Sequence, residues 1–210
     1  MTRKGQGRLL IATSNPGKLA EFRELLPPTI DCLGLHDLGL ASPPETGATL
    51  RENAELKAVA AARASGMLAL ADDSGLEVVA LGGAPGVRSA RYAGEPADDS
   101  RNRRALLAAM AKFAPAAREG TFVCAVAIAS PEGLIATAHG KLTGSIAYSE
   151  RGDQGFGYDA LFELPDGRTL AELTPAEKNA ISHRANAVRT ILPRLHAAID
   201  VHGARPRIGS

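Results

Sequence analysis

The sequence predicts an α/β fold, a mixed β-sheet with helices packed on it. Apolar runs alternate with helical patterns in the first half, and consecutive strand-like runs follow in the second. Two capping boxes, at Thr49/Glu52 and Thr174/Glu177, mark helix starts between them. Residues 8–13 read as a short buried strand. A helix follows at once, with Asn15 as N-cap, Pro16 at its first position and Pro27-Pro28 as its stop. Residues 30–35 form a second strand, and Thr49 opens an alanine-rich helix running to about Gly66. Residues 67–71 and 76–81 read as two strands on either side of a turn at Asp72 to Gly75. After a loop at 82–86, Asp98 or Asp99 caps a helix reaching about Lys112. Strands at 121–129 and 134–141 are joined by a turn at 130–133, and 162–164 form one more short strand. No linker separates domains. One domain is expected over 1–210, with an ordered core at about 8–200 and flexible tails at 1–7 and 203–210.

Composition excludes several functions. The 210 residues carry 24 Lys plus Arg against 23 Asp plus Glu, so no basic excess favours a nucleic-acid partner. No apolar run approaches the roughly 20 residues that span a bilayer, and residues 1–7 lack a targeting segment. A cytoplasmic protein with no membrane partner is expected. Cys32 and Cys124 form no CxxC pair, so zinc-ribbon and thioredoxin-type chemistry are out; both read as reduced, buried thiols.

Four segments are candidates for chemistry, each with a plainer alternative. Thr13, Ser14, Asn15, Pro16, Gly17 and Lys18 sit at a strand-to-helix junction. There, free N–H groups, hydroxyls and a lysine suit phosphate. The alternative is an ordinary capped helix with a solvated lysine. Asp72 and Asp73 are adjacent carboxylates that a Mg²⁺ ion would relieve, and strand alternation gives them different roles. The alternative is a solvated turn. Glu45 offers a further carboxylate, and Asn53 and Lys57, four apart, share one helix face. As a plain surface residue, Lys57 would carry no function.

In Gly155-Phe156-Gly157-Tyr158-Asp159 the glycines flex a loop that presents aromatic faces and a carboxylate, suited to stacking on a flat base. The alternative is an apolar plug. The segment is not a dinucleotide fingerprint, because strand and turn follow it rather than a helix. Lys178, His183 and Arg184 would fan around a straight helix. They converge only if the backbone breaks near 179–181 and a new helix starts at Ser182. Otherwise they are solvated residues of an amphipathic helix.

Taken in order, these motifs resemble the inosine/xanthosine triphosphate pyrophosphatases that cleanse nucleotide pools. The resemblance covers about 9–195 and rests on TSNPGK at 13–18, ETG at 45–47, ENAELKA at 52–58 and ADDSGL at 71–76. It continues with LGGAPG at 81–86, SARY at 89–92, GFGYD at 155–159 and EKNAISHR at 177–184. One mild departure is Ser14, where many relatives have glycine. The resemblance implies an elongated α/β fold with two lobes around a central cleft, and a homodimeric, Mg²⁺-dependent hydrolase. Its substrates would be ITP, dITP and XTP, cleaved to the monophosphate and pyrophosphate. Carried over, Thr13 to Lys18 and Lys57 would hold the triphosphate, and Glu45 and Asp73 the metal, with Asp73 also accepting a proton. Ser74, Phe156, Gly157, Tyr158, Asp159, Lys178, His183 and Arg184 would hold the nucleoside. Competing readings are a pyrophosphatase for modified pyrimidine or methylated nucleotides, and a non-catalytic nucleotide- or RNA-binding module.

Overall fold

The computed structural model describes residues 7–203. Of the tails expected at 1–7 and 203–210, residues 1–6 and 204–210 lie outside the described residues, whereas Gly7 opens the first strand and Gly203 closes the last helix. The chain is mixed α/β. Its strands are β1 (Gly7–Ile11), β2 (Ile30–Gly34), β3 (Ala69–Val78), β4 (Glu119–Ser130), β5 (Gly133–Ile146) and β6 (Phe162–Glu163). They form one sheet in the order β2-β1-β3-β4-β5-β6. β1 runs parallel to β2 and to β3, and β5 pairs antiparallel with β6. The helices are α1 (Pro16–Leu25), α2 (Leu50–Ser65), α3 (Asp99–Met110), α4 (Pro175–Ile181) and α5 (His183–Gly203). None in the described residues is long and apolar enough to cross a membrane.

The local chemistry that starts each helix is visible in its caps. Asn15 accepts from the Lys18 N–H ahead of Pro16, and Thr49 and Glu52 close a reciprocal box at α2. Gly66 ends α2 at φ +69°, a left-handed conformation that suits glycine. At α3 the cap is Asp98, which leaves the Asp99 carboxylate to act elsewhere.

The chain packs as two compact units. The first holds, among described residues, 7–73, Ala125–His139 and 187–203. Its core includes Leu9, Leu10 and Ile11 of β1, Phe22 of α1, and Ala54, Ala58, Ala61 and Ala62 of α2. Those alanines follow the spacing of one helix face, and their small size lets the backbone pack closely. The second unit holds Ser74–Cys124 and Gly140–Asn186. Its core gathers Leu76, Leu106, Met110, Phe122, Ile146 and Phe162.

Two expectations change. No turn interrupts 72–75: β3 runs unbroken through Asp72, Asp73, Ser74 and Gly75, then gives way to a 3-10 turn at Val79–Leu81. Asp-Ser-Gly favours a turn only while its carboxylates are solvated, and here both are buried and ion-paired. Gly75 also admits a neighbour that no other residue could, since a Cβ there would lie 2.3 Å from Gly86 O. The helix break falls later than 179–181. α4 stays helical through Ala180 and Ile181, and the chain turns extended at Ser182 (ψ 154°). Ser182 then caps α5, its hydroxyl accepting from the Ala185 N–H at 3.1 Å.

Candidate active site

In the first unit, carboxylates and lysines interlock. The loop between β1 and α1 is ordered by short bonds: Thr13 Oγ1 accepts from the Asn15 N–H, and Asn15 Oδ1 from the Lys18 N–H, both at 3.1 Å. Ser14 is exposed, and Gly17 is partly buried in the first turn of α1. Lys18 Nζ reaches Asp72 Oδ2 at 3.0 Å, and Asp72 is fully buried. Residues Thr13 to Pro16 also line a cavity of about 650 Å³ bounded across by Leu35, His36 and Leu40.

One residue further along β3, Asp73 is addressed from α2. Asn53 Nδ2 donates to its Oδ2 at 3.0 Å, and Lys57 Nζ lies 3.8 Å from its Oδ1. Lys57 also donates to Glu45 Oε1 at 2.7 Å. Strand alternation thus splits the two aspartates, Asp72 to Lys18 and Asp73 to Asn53 and Lys57. Lys57, which the sequence alone allowed to be a solvated surface residue, is buried.

The electrostatics follow from this packing. Burial drives the Asp73 carboxyl upward from its ordinary value, with Lys57 and Lys18 pulling the other way. Burial also disfavours the Lys57 ammonium, but Asp72, Asp73 and Glu45 outweigh it and the net shift is upward. Glu45, Asp72 and Asp73 set against Lys18 and Lys57 leave one formal negative charge.

The second unit holds the other cluster. Phe156, half-buried, has Lys178 Nζ 4.7 Å and Arg184 Cζ 5.8 Å from its ring centre. Lys178 pairs with Asp159 Oδ2 at 2.6 Å, and the same carboxylate oxygen accepts from the Phe156 N–H at 2.9 Å. Gly155 lets that contact form. Its φ is +77°, and a Cβ would sit 2.1 Å from Asp159 Oδ2. Arg184 also donates to Ser74 Oγ at 3.3 Å.

The break at Ser182 therefore brings Lys178 and Arg184 to the same ring. His183 stacks on Phe122 with centroids 4.7 Å apart. Tyr158 separates from Phe156. It is buried in the core, its hydroxyl donating to Ser89 O at 2.9 Å, and burial pushes its ionisation upward.

Sequence reasoning passed over Asp99 and Arg103, which support this loop, and Arg118, which holds backbone elsewhere in the second unit. Gly157 N–H donates to Asp99 Oδ2 at 2.8 Å, and Arg103 donates to Gly157 O at 3.0 Å. Buried Arg118 donates to the carbonyls of Met110, Ile146 and Ala147, and Tyr148 lies under its guanidinium. The i, i+4 spacing of Asp99 and Arg103 was the only signal available for the first pair.

A mixed α/β sheet carrying a carboxylate–lysine cluster and an aromatic–cation cluster has the chemistry of a protein that handles nucleotides. The chain belongs to the Ham1 family, whose model matches residues 9–194. It is 46% identical over 194 residues to a dITP/XTP pyrophosphatase of Haemophilus influenzae, covering 90% of this chain and 98% of the relative. Among solved structures it resembles a HAM1 protein from Coxiella burnetii (TM-score 0.80, 40% identity, 90% of this chain and 98% of that one). The Ham1 protein of Staphylococcus aureus is similar too (TM-score 0.79, 38% identity, 91% and 99%).

Proposed function

We infer that this chain is a dITP/XTP pyrophosphatase, a hydrolase of nucleotide metabolism that converts deaminated purine triphosphates to the monophosphate and pyrophosphate. The lysine–carboxylate cluster takes the triphosphate and the Phe156 cluster takes the nucleoside. The observation that carries this division is the placement of both clusters on consecutive residues of β3. Asp73 belongs to the first and Ser74 to the second. A cytoplasmic homodimer is part of the same reading.

The donor set fits Mg²⁺. Glu45 Oε1 and Asp73 Oδ1 are hard oxygens facing one ammonium, at 2.7 and 3.8 Å. Mg²⁺ commonly takes one or two carboxylates and completes its shell with water and phosphate oxygens. A cluster of net charge −1 repels a polyphosphate, whereas a divalent cation reverses that sign. Glu45 and Asp73 would hold the ion, which when bound supplies charge neutralisation at the phosphate oxygens.

The residues of the chain do the rest. Water attacks the α-phosphorus, a new P–O bond forms, the bond to the bridging oxygen breaks, and pyrophosphate leaves. Asp73 accepts the proton of that water, and its upward shift by burial brings it closer to the working pH of a base. Lys18 and Lys57 hold phosphate oxygens, exchanging part of their carboxylate pairing for the substrate. Around the nucleoside, Phe156 stacks on the base while Lys178 and Arg184 offer donors. His183 joins them in the reading, its ring stacked on Phe122. Donors suit the 6-oxo group of hypoxanthine and xanthine. The amino group of adenine would leave them unsatisfied, at about 1–3 kcal/mol for each buried group.

The test is product analysis across a nucleotide panel with Mg²⁺. Monophosphate and pyrophosphate in equal amounts from dITP and XTP, with dATP and dGTP poor substrates, support the reading. Release of orthophosphate, or equal turnover of dATP, overturns it.

A further inference from the structure

We propose that α3 is the positioning element for the nucleoside platform, and that Asp99 and Arg103 are its working residues. The inference rests on the reading of Phe156 as the surface that meets the base. Gly157, next to Phe156, is gripped on both of its polar groups from one helix. Its N–H donates to Asp99 Oδ2 at 2.8 Å and its C=O accepts from Arg103 at 3.0 Å. The two side chains are four residues apart, so they project from the same face one turn from each other. Arg103 is itself held by Glu150, with Nε and Oε2 2.9 Å apart.

The grip matters because of where it falls. Gly157 sits at φ +61°, a conformation open to glycine at little cost, so the backbone beside Phe156 has a wide range to lose. On the other side, the Phe156 N–H is bound by Asp159. Without α3 the ring keeps its bonds to Asp159 and its two cations but regains freedom about Gly157. Both bonds from α3 involve a charged side chain, the stronger class of hydrogen bond. Asp99 is free for this task because Asp98 serves as the α3 cap. Neither Asp99 nor Arg103 is placed against substrate; they act through Phe156, and their effect belongs to nucleoside affinity rather than to the phosphate chemistry.

The experiment compares Asp99→Ala, Arg103→Ala and Phe156→Ala for dITP hydrolysis, with inorganic tripolyphosphate as a base-free competitive inhibitor. Asp99→Ala and Arg103→Ala are expected to raise KM for dITP about tenfold while kcat changes less than about twofold. Inhibition by tripolyphosphate is expected to stay unchanged. Asp99→Asn, which keeps an acceptor, is expected to recover most of the lost affinity. In a Phe156→Ala background, Asp99→Ala is expected to add nothing further. If Phe156→Ala raises KM but the α3 variants do not, the positioning role is overturned and the nucleoside reading stands. If Phe156→Ala leaves KM unchanged, the nucleoside reading fails and the positioning role falls with it. A loss of kcat, or a parallel weakening of tripolyphosphate inhibition, also contradicts the proposal, because it traces the effect to general damage.

Discussion

Asn53 and Asp73 are joined by one hydrogen bond of fixed sense: Asn53 Nδ2 donates to Asp73 Oδ2 at 3.0 Å. The sense is set upstream, because the Gly47 N–H donates to Asn53 Oδ1 at 2.7 Å and leaves only the amine side free for the aspartate. Lys57, one turn along α2, faces the other oxygen. One helix therefore addresses both oxygens of the proposed base, and the same amide holds the segment beside Glu45. Asn53→Ala is expected to lower kcat about tenfold and stability by about 1–3 kcal/mol, since it orphans buried partners. Urea unfolding and pyrophosphate release measure the two effects separately.

Asp73→Asn keeps the shape and can still meet Asn53 through its amide oxygen. It cannot accept a proton. Turnover is expected to fall by about 10²–10⁴-fold with an unchanged circular dichroism spectrum. Near-normal turnover would remove Asp73 from the chemistry.

Lys57→Met removes a buried ammonium from among Glu45, Asp72 and Asp73. Breaking a buried ion pair from one side costs about 3–5 kcal/mol, and the loss is expected here because the carboxylates then face one another. Protonating Asp73, whose carboxyl burial already drives upward, relieves the repulsion. The deficit, read by urea unfolding, is therefore expected to shrink as the pH falls from 7 to 5.

The box that opens α4 gives a pH signature away from the catalytic cluster. The Thr174 N–H, then Arg168 and the Thr174 hydroxyl, hold the Glu177 carboxyl down, from the ordinary 4.5 to about 2. A carboxyl lowered on folding stabilises the native state above its unfolded value and loses that contribution as pH falls through the folded one. Thermal melts of wild type and Glu177→Gln are thus expected to differ most at neutral pH. They should converge between about 4.5 and 2. Lys178 follows Glu177 directly, so fraying of α4 in acid is also expected to raise KM.

What could be read in advance was what depends on neighbours along the chain. The Asn15-Pro16 helix start, both capping boxes and the opposed faces of Asp72 and Asp73 all follow from local spacing, and the structure has each. The turn expected at 72–75 failed because its local chemistry assumed solvated carboxylates, while Lys18 and Lys57 arrive from other elements to neutralise them. Tyr158 and Phe156 look alike in a glycine loop, and only the Ser89 carbonyl, far off in sequence, assigns Tyr158 to the core. The break before α5 was legible from Ser182, but its position slipped because Asn179 to Ile181 have no residue that stops a helix. Arg103 meets Gly157 across 54 residues, and such a pairing leaves no pattern in either segment.

The most direct measurement is a crystal structure of the wild-type chain with Mg²⁺ and a non-hydrolysable α,β-imido analogue of dITP. Phosphate oxygens on Lys18 and Lys57, the ion on Glu45 and Asp73, and the hypoxanthine ring against Phe156 are the expected result. A nucleotide bound with its base among the lysines, or with its phosphates away from Asp73, would contradict the account.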